Sequence, residues 1–543
     1  MGQSKTRREE QDGSHAGSRQ PLRARRGTTL NCQGWPQEAA LRMLTNSLDP
    51  DVAEDPGNLI ACNATGKVLQ DWRSYDAIIS ALKALKEDQT LLVQSGKPSG
   101  VRGTHCEAPR VLIINSNPAA RRPISAKMNQ SGLALPPQAS TASWTYIGTQ
   151  ETLPTAFHIF DAIARKHFSG KLLAGKLIVS GGMGTAGGAL SLAAGMLDAA
   201  FLGIDVDGDR IRRRIRAGYC DYCVNTPDEA LRILKNAVRQ KQGVSVGLVG
   251  NCAEIIPELA SRGVLPDVLT DQTSAHDLLH GYVPSGLSVD EANVLRRRQP
   301  EEYCSRSRES LARYFNGMLE LQKMGSVVFE FGNNIRAAAE ECGVAGAASA
   351  FPGFVEAYLH PLLDKGMLPV RWVALSGQAS DIRRLDDLAL ELFPDNTLLA
   401  RWISLARKYV RFQGLPARVC WLGLQARFLL AERVNSLVAE GVFKAPLVIA
   451  LDHAASCVEA SSHPKTEARK EASDGATGGA WPNAVLNTAS GASWLSLQTG
   501  AGCVQATAAL VADGTAEAAK ASTRILKNNN ALETIRQAAA DRG

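Results

Sequence analysis

The sequence predicts an α/β protein with a parallel-sheet central region flanked by mixed N- and C-terminal regions. Three observations carry that expectation. Over residues 177–205 a short apolar run, a glycine cluster, an Ala/Leu-rich stretch and a second apolar run follow one another. From about 149 to 353, apolar runs too short for helices alternate with helix-like segments, and such alternation places helices on both faces of a parallel sheet. The stretches on either side, 23–148 and 354–543, read as mixed regions, and with 543 residues the chain has ample length for several domains.

Taken in order, residues 1–22 form a polar tail rich in Ser, Arg and Gly that reads as disordered. Its first residues, Met1 to Thr6, formally fit the N-myristoylation pattern at Gly2, a pattern short enough to arise by chance. Glu9, Glu10 and Asp12 argue against a mitochondrial presequence, and no apolar stretch marks a signal peptide. In 23–148, Glu38 to Asn46 reads as a helix, while Thr90 to Gln94 and Pro109 to Ile114 read as strands. Pro109 opens its strand, where a missing N–H is tolerated. Gly96 to Pro98 and Ser116 to Pro118 mark turns.

The central region, 149–353, holds the most specific signal. Leu177 to Ser180 reads as a strand and Ala189 to Leu197 as helix, with Gly182, Gly184 and Gly187 in G-x-G-x-x-G spacing between them. Asp205 ends the next apolar run, about 20 residues on, which is the dinucleotide fingerprint in its required context. One glycine allows the tight strand-to-helix turn, one lets backbone approach a pyrophosphate, and one lets helix and strand pack closely. The helix N-terminus then receives the phosphates, and Asp205 is expected to accept from a ribose hydroxyl. A tight turn that binds nothing is the alternative. Three further runs (Val244 to Asn251, Val268 to His276, Val327 to Asn334) end in polar groups at Asn251, Gln272–His276 and Asn333. Strand ends of this kind line ligand crevices.

Bulk properties narrow the function classes. Apolar residues make up 45% and charged residues 21%, a globular balance. No run reaches the ~18 apolar residues of a membrane span. The net charge of +6 is small for this length; Arg212–Arg216 and Arg296–Arg298 read as solvated helix faces, and no nucleic-acid motif accompanies them. Eleven cysteines are scattered, with one C-x-x-C at Cys220 and Cys223 and no second pair, so no metal site is expected. Cysteine usage fits a reduced, cytoplasmic setting. In the last region, Glu459 to Gly479 reads as a surface loop and Gly500 to Gly502 as a further turn.

Several long strings resemble the urocanase (urocanate hydratase) family: Leu41–Pro50 (LRMLTNSLDP), Leu92–Pro98 (LVQSGKP), Thr270–Asp277 (TDQTSAHD), Gly332–Arg336 (GNNIR), Phe412–Trp421 (FQGLPARVCW) and Leu486–Ala492 (LNTASGA). The resemblance runs from about Arg23 almost to the C-terminus. It implies a homodimeric enzyme that hydrates urocanate to imidazolonepropionate, with NAD⁺ acting as an electrophile and undergoing no net redox change. Carried across by motif, the NAD-lining positions are Gln138, Thr185, Ala186, Gly187, Asp205, Arg210, Asn251, Cys252, Gln272, Thr273, Ser274, Ala275, His276, Tyr282, Val283, Phe331 and Gly502. Cys420 matches the family's active-site cysteine; from its residues alone, a Cys beside Trp421 reads as a buried apolar side chain. Arg371 is a candidate to pair with the substrate carboxylate, or else a surface ion pair. His105 and His276 are candidate proton carriers, or hydrogen-bonded structural histidines.

The chain departs from the family where Tyr-Gly-Gly becomes Cys62-Asn63-Ala64, Gly-Met-Gly becomes Thr185-Ala186-Gly187, Glu becomes Asp205, Tyr becomes Phe331, Arg-Asp-His becomes Leu451-Asp452-His453, and His-His becomes Gln498-Thr499. These changes motivate a second expectation, a catalytically weak or inactive relative that serves as a nucleotide-binding or scaffold protein. An ordinary dehydrogenase is a third.

Overall fold

The computed structural model describes residues 20–62, 66–116, 139–170, 172–452, 480–500 and 503–527. The tail with its Gly2 pattern, Asn63 and Ala64, Gln138, His453, the 459–479 loop and Gly502 lie outside the described residues.

In the N-terminal region, β1 (Ile60–Cys62) and β2 (Gly66–Lys67) pair antiparallel, followed by β3 (Gln89–Gln94), β4 (Lys97–Gly103) and β5 (Val111–Ser116). The central region supplies β6 (Leu177–Gly181), β7 (Ala200–Asp205), β8 (Tyr222–Val224), β9 (Val244–Val249), β10 (Val268–Asp271) and β11 (Val327–Val328). These six form one all-parallel sheet in the order β11-β10-β6-β7-β9-β8. β7 and β10 are buried at every position, as strands covered on both faces must be. The order reverses between β6 and β10, which opens a crevice beyond the strands' carboxyl ends.

The C-terminal region supplies β12 (Leu368–Ala374), β13 (Ala417–Leu422), β14 (Leu447–Asp452), β15 (Trp494–Gly500) and β16 (Cys503–Ala512). They join β3–β5 in one eight-stranded mixed sheet, β13-β12-β14-β16-β15-β5-β3-β4. The seam between the two sequence regions is the parallel pairing of β15 with β5, Trp494 opposite Val111 through Thr499 opposite Ser116. The central parallel sheet is thus inserted between two halves of another sheet.

The helix Leu153–Phe168 and the helix Thr185–Met196 lie in the shared core with Trp372, Cys420 and Leu447. The second of these is rich in Gly and Ala, so its backbone packs closely; Gly188 leaves the passage taken by the Arg214 stem. Three sequence expectations shift. Pro109 precedes β5 instead of opening it. The turn falls at Ser95-Gly96, both with positive φ, so Lys97 and Pro98 already belong to β4, an edge strand where proline is tolerated. The 327–334 run is a strand only over Val327–Val328, with an isolated bridge at Glu330 to Gly353.

His158 sits in this core, 4% exposed, packed edge-on against Trp421 at 5.5 Å between ring centroids. Neither ring nitrogen has a hydrogen-bond partner among the described residues. Burial, opposed only by Asp161, pushes its pKa down to about 4. The unfolded chain protonates His158 near its ordinary 6.5 while the fold resists until about 4, so stability is present above 6.5 and is lost as pH falls toward 4. The full loss is about 3 kcal/mol at 1.36 kcal/mol per unit. His158→Phe is expected to flatten the fall of the thermal midpoint between pH 6.5 and 4.5; an unchanged slope counts against this account.

Candidate functional site

The crevice, about 960 Å³, is lined from the ends of β6, β7, β9 and β10 and from the N-terminal segment that carries Glu54, Asp55, Ile60 and Lys67. The glycine turn explains its floor. Gly182 has φ +78°, and a Cβ there would stand 2.3 Å from the Gln272 carbonyl oxygen. A Cβ on Gly187 would stand 1.9 Å from the Gly182 carbonyl oxygen. Gly184 differs: a Cβ there meets nothing within 4 Å. It is the N-cap of the Thr185–Met196 helix and no side chain caps that end. Steric need thus fixes the first and third glycines, while the second presents bare backbone to the crevice at a positive helix end. A diphosphate fits that arrangement. Tyr282 also lines the crevice, with its hydroxyl buried towards Cys252, Asp271 and Cys342 and without a hydrogen-bond partner among the described residues.

Asp205 lines the crevice, but its carboxylate also builds the turn. Oδ2 accepts from the Met183 N–H at 2.7 Å and Oδ1 from the Asp207 N–H at 2.9 Å. Arg210 lies 3.7 Å away. Burial raises the Asp205 pKa, against Arg210 and these two N–H groups. Asn251 caps the helix Cys252–Ser261 through Oδ1 to the Ala253 N–H and clips the opposite wall by donating to the Val283 carbonyl at 3.0 Å. Behind the glycine turn, Asp271 accepts from Tyr314, from Thr273 and from Asn333. Burial pushes its carboxyl up to about 6 against those bonds. Asp271 holds the 272–274 loop that faces the crevice.

Of the sequence-proposed cofactor positions, the structure brings Thr185, Asp205, Arg210, Asn251, Cys252, Gln272, Thr273, Ser274, Tyr282 and Val283 together on the crevice wall. Ala186 and Gly187 lie in the helix behind it, Gly187 facing Gly182. Ala275 is in the core, and Phe331 is buried against Phe354, its carbonyl accepting from Gln272. His276 is exposed in the loop after β10, outside the crevice lining. The solvated reading of the arginine-rich stretches holds for Arg212, Arg216, Arg297 and Arg298, which are exposed, and is corrected for the others: Arg213 lines the crevice, as the exposed Arg216 also does, Arg214 is 2% exposed, and Arg296 lines the far wall and donates to Tyr303.

Glu54, Tyr146 and Thr149, which local sequence does not flag, bind the N-terminal wall to the Thr185–Met196 helix and its neighbours. Thr185 donates to Glu54 Oε1 at 2.7 Å and accepts from Tyr146 at 3.2 Å. Arg214 pairs with the same Glu54 carboxylate and donates to Thr149, and Arg213 donates to the Glu54 carbonyl at 2.7 Å. Burial alone would raise the Glu54 pKa; Arg214 and Arg213 outweigh it and hold the carboxylate below its usual range. Glu54 lies in a short loop with no periodicity to flag it.

The three proposed catalytic residues are not brought together. Register settles two of them. Arg371 is opposite Val419, and Cys420 is opposite Val370. Paired residues share a face and neighbours alternate, so Arg371 and Cys420 project from opposite faces of the eight-stranded sheet. Cys420 is buried in the core with Trp372, and burial pushes its thiol up to about 12, which favours the protonated form. His105 follows β4, six strand positions from β12, roughly 30 Å away at about 4.8 Å per strand; it is exposed. Arg371 is neither open nor at the surface. It is 3% exposed and grips Asp452 bidentately, Nη1 to Oδ2 at 2.6 Å and Nη2 to Oδ1 at 2.7 Å. Thr145 accepts from Nη2 at 3.1 Å and Glu151 from Nη1 at 3.4 Å. Thr507 donates to Asp452 at 2.9 Å. This polar row does not itself line the crevice but is linked to it, because Thr145 reaches Arg371 while the next residue, Tyr146, reaches Thr185 on the crevice wall.

The fold and crevice define a Rossmann-like α/β protein consistent with a nucleotide cofactor. Three family models match in succession: the urocanase N-terminal domain over residues 22–144, the urocanase Rossmann-like domain over 148–358 and the urocanase C-terminal domain over 361–543. The chain belongs to the urocanase family, which supports a function of the urocanate hydratase type. Among the described residues, no helix is long and apolar enough to cross a membrane, and no group of three or more His, Cys, Asp or Glu is placed to hold a metal ion.

Proposed function

We propose that the protein is a urocanate hydratase, a hydro-lyase that adds water to urocanate to give 4-imidazolone-5-propionate in histidine degradation, with NAD⁺ in the glycine crevice. The observation that carries the reading is Gly184, bare backbone at an uncapped helix end facing the crevice, in a chain spanned by all three urocanase domains. NAD⁺, when bound, supplies an electrophilic ring. The chain's own groups bind and orient. Helix amides at 184–187 would hold the diphosphate; Asp205 and Asn251 fix the crevice walls; and the linked row of Arg371, Asp452 and Glu151 would supply charge and protons. The same reading takes the protein as a cytoplasmic homodimer.

A second reading, a nucleotide-binding relative with little turnover, is favoured by one observation: the guanidinium edge of Arg371 is already filled by Asp452. The deciding experiment is urocanate turnover, followed by loss of its ultraviolet absorbance, on purified protein whose bound NAD⁺ is quantified. Turnover on the order of 1 s⁻¹ or faster supports the enzyme. Full NAD⁺ loading without turnover leaves the second reading, and NADH formation from another substrate leaves a dehydrogenase.

A further inference from the structure

We propose that Glu151 is a specificity-determining residue through which the site takes up one proton when an imidazole ligand bearing a carboxylate binds at Arg371. The inference rests on the functional reading above. Among the described residues, Nη1 and Nη2 of Arg371 donate to Asp452, Thr145 and Glu151 in four contacts. Two of these, at 2.6 and 2.7 Å, form the bidentate pair with Asp452, the strongest carboxylate geometry a guanidinium makes. The Glu151 contact, at 3.4 Å, is the longest. An incoming carboxylate replaces that contact most readily, since it exchanges one anion for another and leaves the Asp452 pair intact.

Displacement has a consequence because Glu151 is enclosed. Its side chain is 18% exposed. Without Arg371 it retains, among the described residues, only two neutral donors, the Ser140 hydroxyl and the Ile147 N–H, 3.4 Å away, and Asp452 stands near it as a like charge. Burial and Asp452 already raise its pKa, against Arg371. A buried carboxylate that loses its cation takes a proton. The groups facing it among the described residues are Arg371 from β12, Asp452 from β14, Cys62 from β1 and Tyr146. Burial holds Cys62 and Tyr146 in their neutral forms, pushing the thiol up to about 12 and the phenol well above its usual value, so neither supplies the proton. The step is a proton transfer from solvent to the Glu151 carboxylate; no bond in the ligand breaks.

The test is calorimetric titration of the NAD⁺-loaded full chain with imidazole-propionate, whose saturated side chain cannot be hydrated, and with its carboxamide. Buffers of different ionisation enthalpy report proton uptake. The wild type is expected to take up about one proton with the carboxylate and to lose about tenfold in affinity per pH unit on the alkaline side, with neither effect for the carboxamide. Glu151→Gln is expected to remove the uptake and the pH slope. Absence of uptake in the wild type overturns the inference without any variant. An equal slope in Glu151→Gln overturns it too. If neither imidazole binds the NAD⁺-loaded protein at any pH, the functional reading fails instead.

Discussion

Gly187→Ala is expected to destabilise the protein and abolish dinucleotide binding, whereas Gly184→Val is expected to weaken binding alone. The added Cβ at 187 falls 1.9 Å from a backbone oxygen of the turn, which no side-chain rotation relieves. Forcing atoms into such a contact costs about 3 kcal/mol or more. At 184 the backbone is at φ −63°, open to any residue, and the added atoms enter the crevice instead of the core. About a 100-fold loss of NAD⁺ affinity, or about 2.7 kcal/mol, is expected there, with the thermal midpoint of the NAD⁺-free protein unchanged, since loss of a bound ligand by itself lowers the midpoint of the loaded protein. NAD⁺ released on denaturation and thermal unfolding of the same preparations provide both readouts. Normal NAD⁺ content in Gly184→Val would show that no diphosphate approaches that backbone.

Arg371→Met is expected to be the most damaging single change in the eight-stranded sheet. It leaves Asp452 and Glu151 buried beside each other without their shared guanidinium. Breaking a buried pair from one side costs about 3–5 kcal/mol, while replacing both members with apolar groups of similar volume costs far less. Asp452→Leu should therefore be comparably harmful, and the double variant Arg371→Met/Asp452→Leu should recover much of the lost stability. Denaturation midpoints of the four proteins form a double-mutant cycle. Additive losses would mean that the two side chains act independently, which two bonds under 2.8 Å do not allow.

Local pattern made some of this molecule legible. The 177–205 unit appears as β6, helix and β7 because its apolar runs, glycines and Ala/Leu stretch each agree with the element they form. The helix Trp35–Asn46 was equally readable, extended by Pro36 in its first turn. β4 was not, because an edge strand reading Lys-Pro-Ser-Gly-Val-Arg-Gly is exposed along most of its length and carries no alternation. Arg214, expected on a solvated face, turns inward. Arg214 reaches Glu54 and Thr149, partners 160 and 65 residues away, which no window of sequence contains.

The crevice shows the same division. By itself the sequence determined the parallel sheet, the glycine turn and the family, because these rest on contiguous residues whose spacing is the structure. Only the tertiary fold decided which charged groups meet. β15 pairs with β5 across almost four hundred residues, and that register builds the sheet on which Arg371 finds Asp452, 81 residues on, while sending Cys420 to the other face. A buried charge must be satisfied by whatever partner the packing delivers, and that choice is made in space, after the local elements have formed.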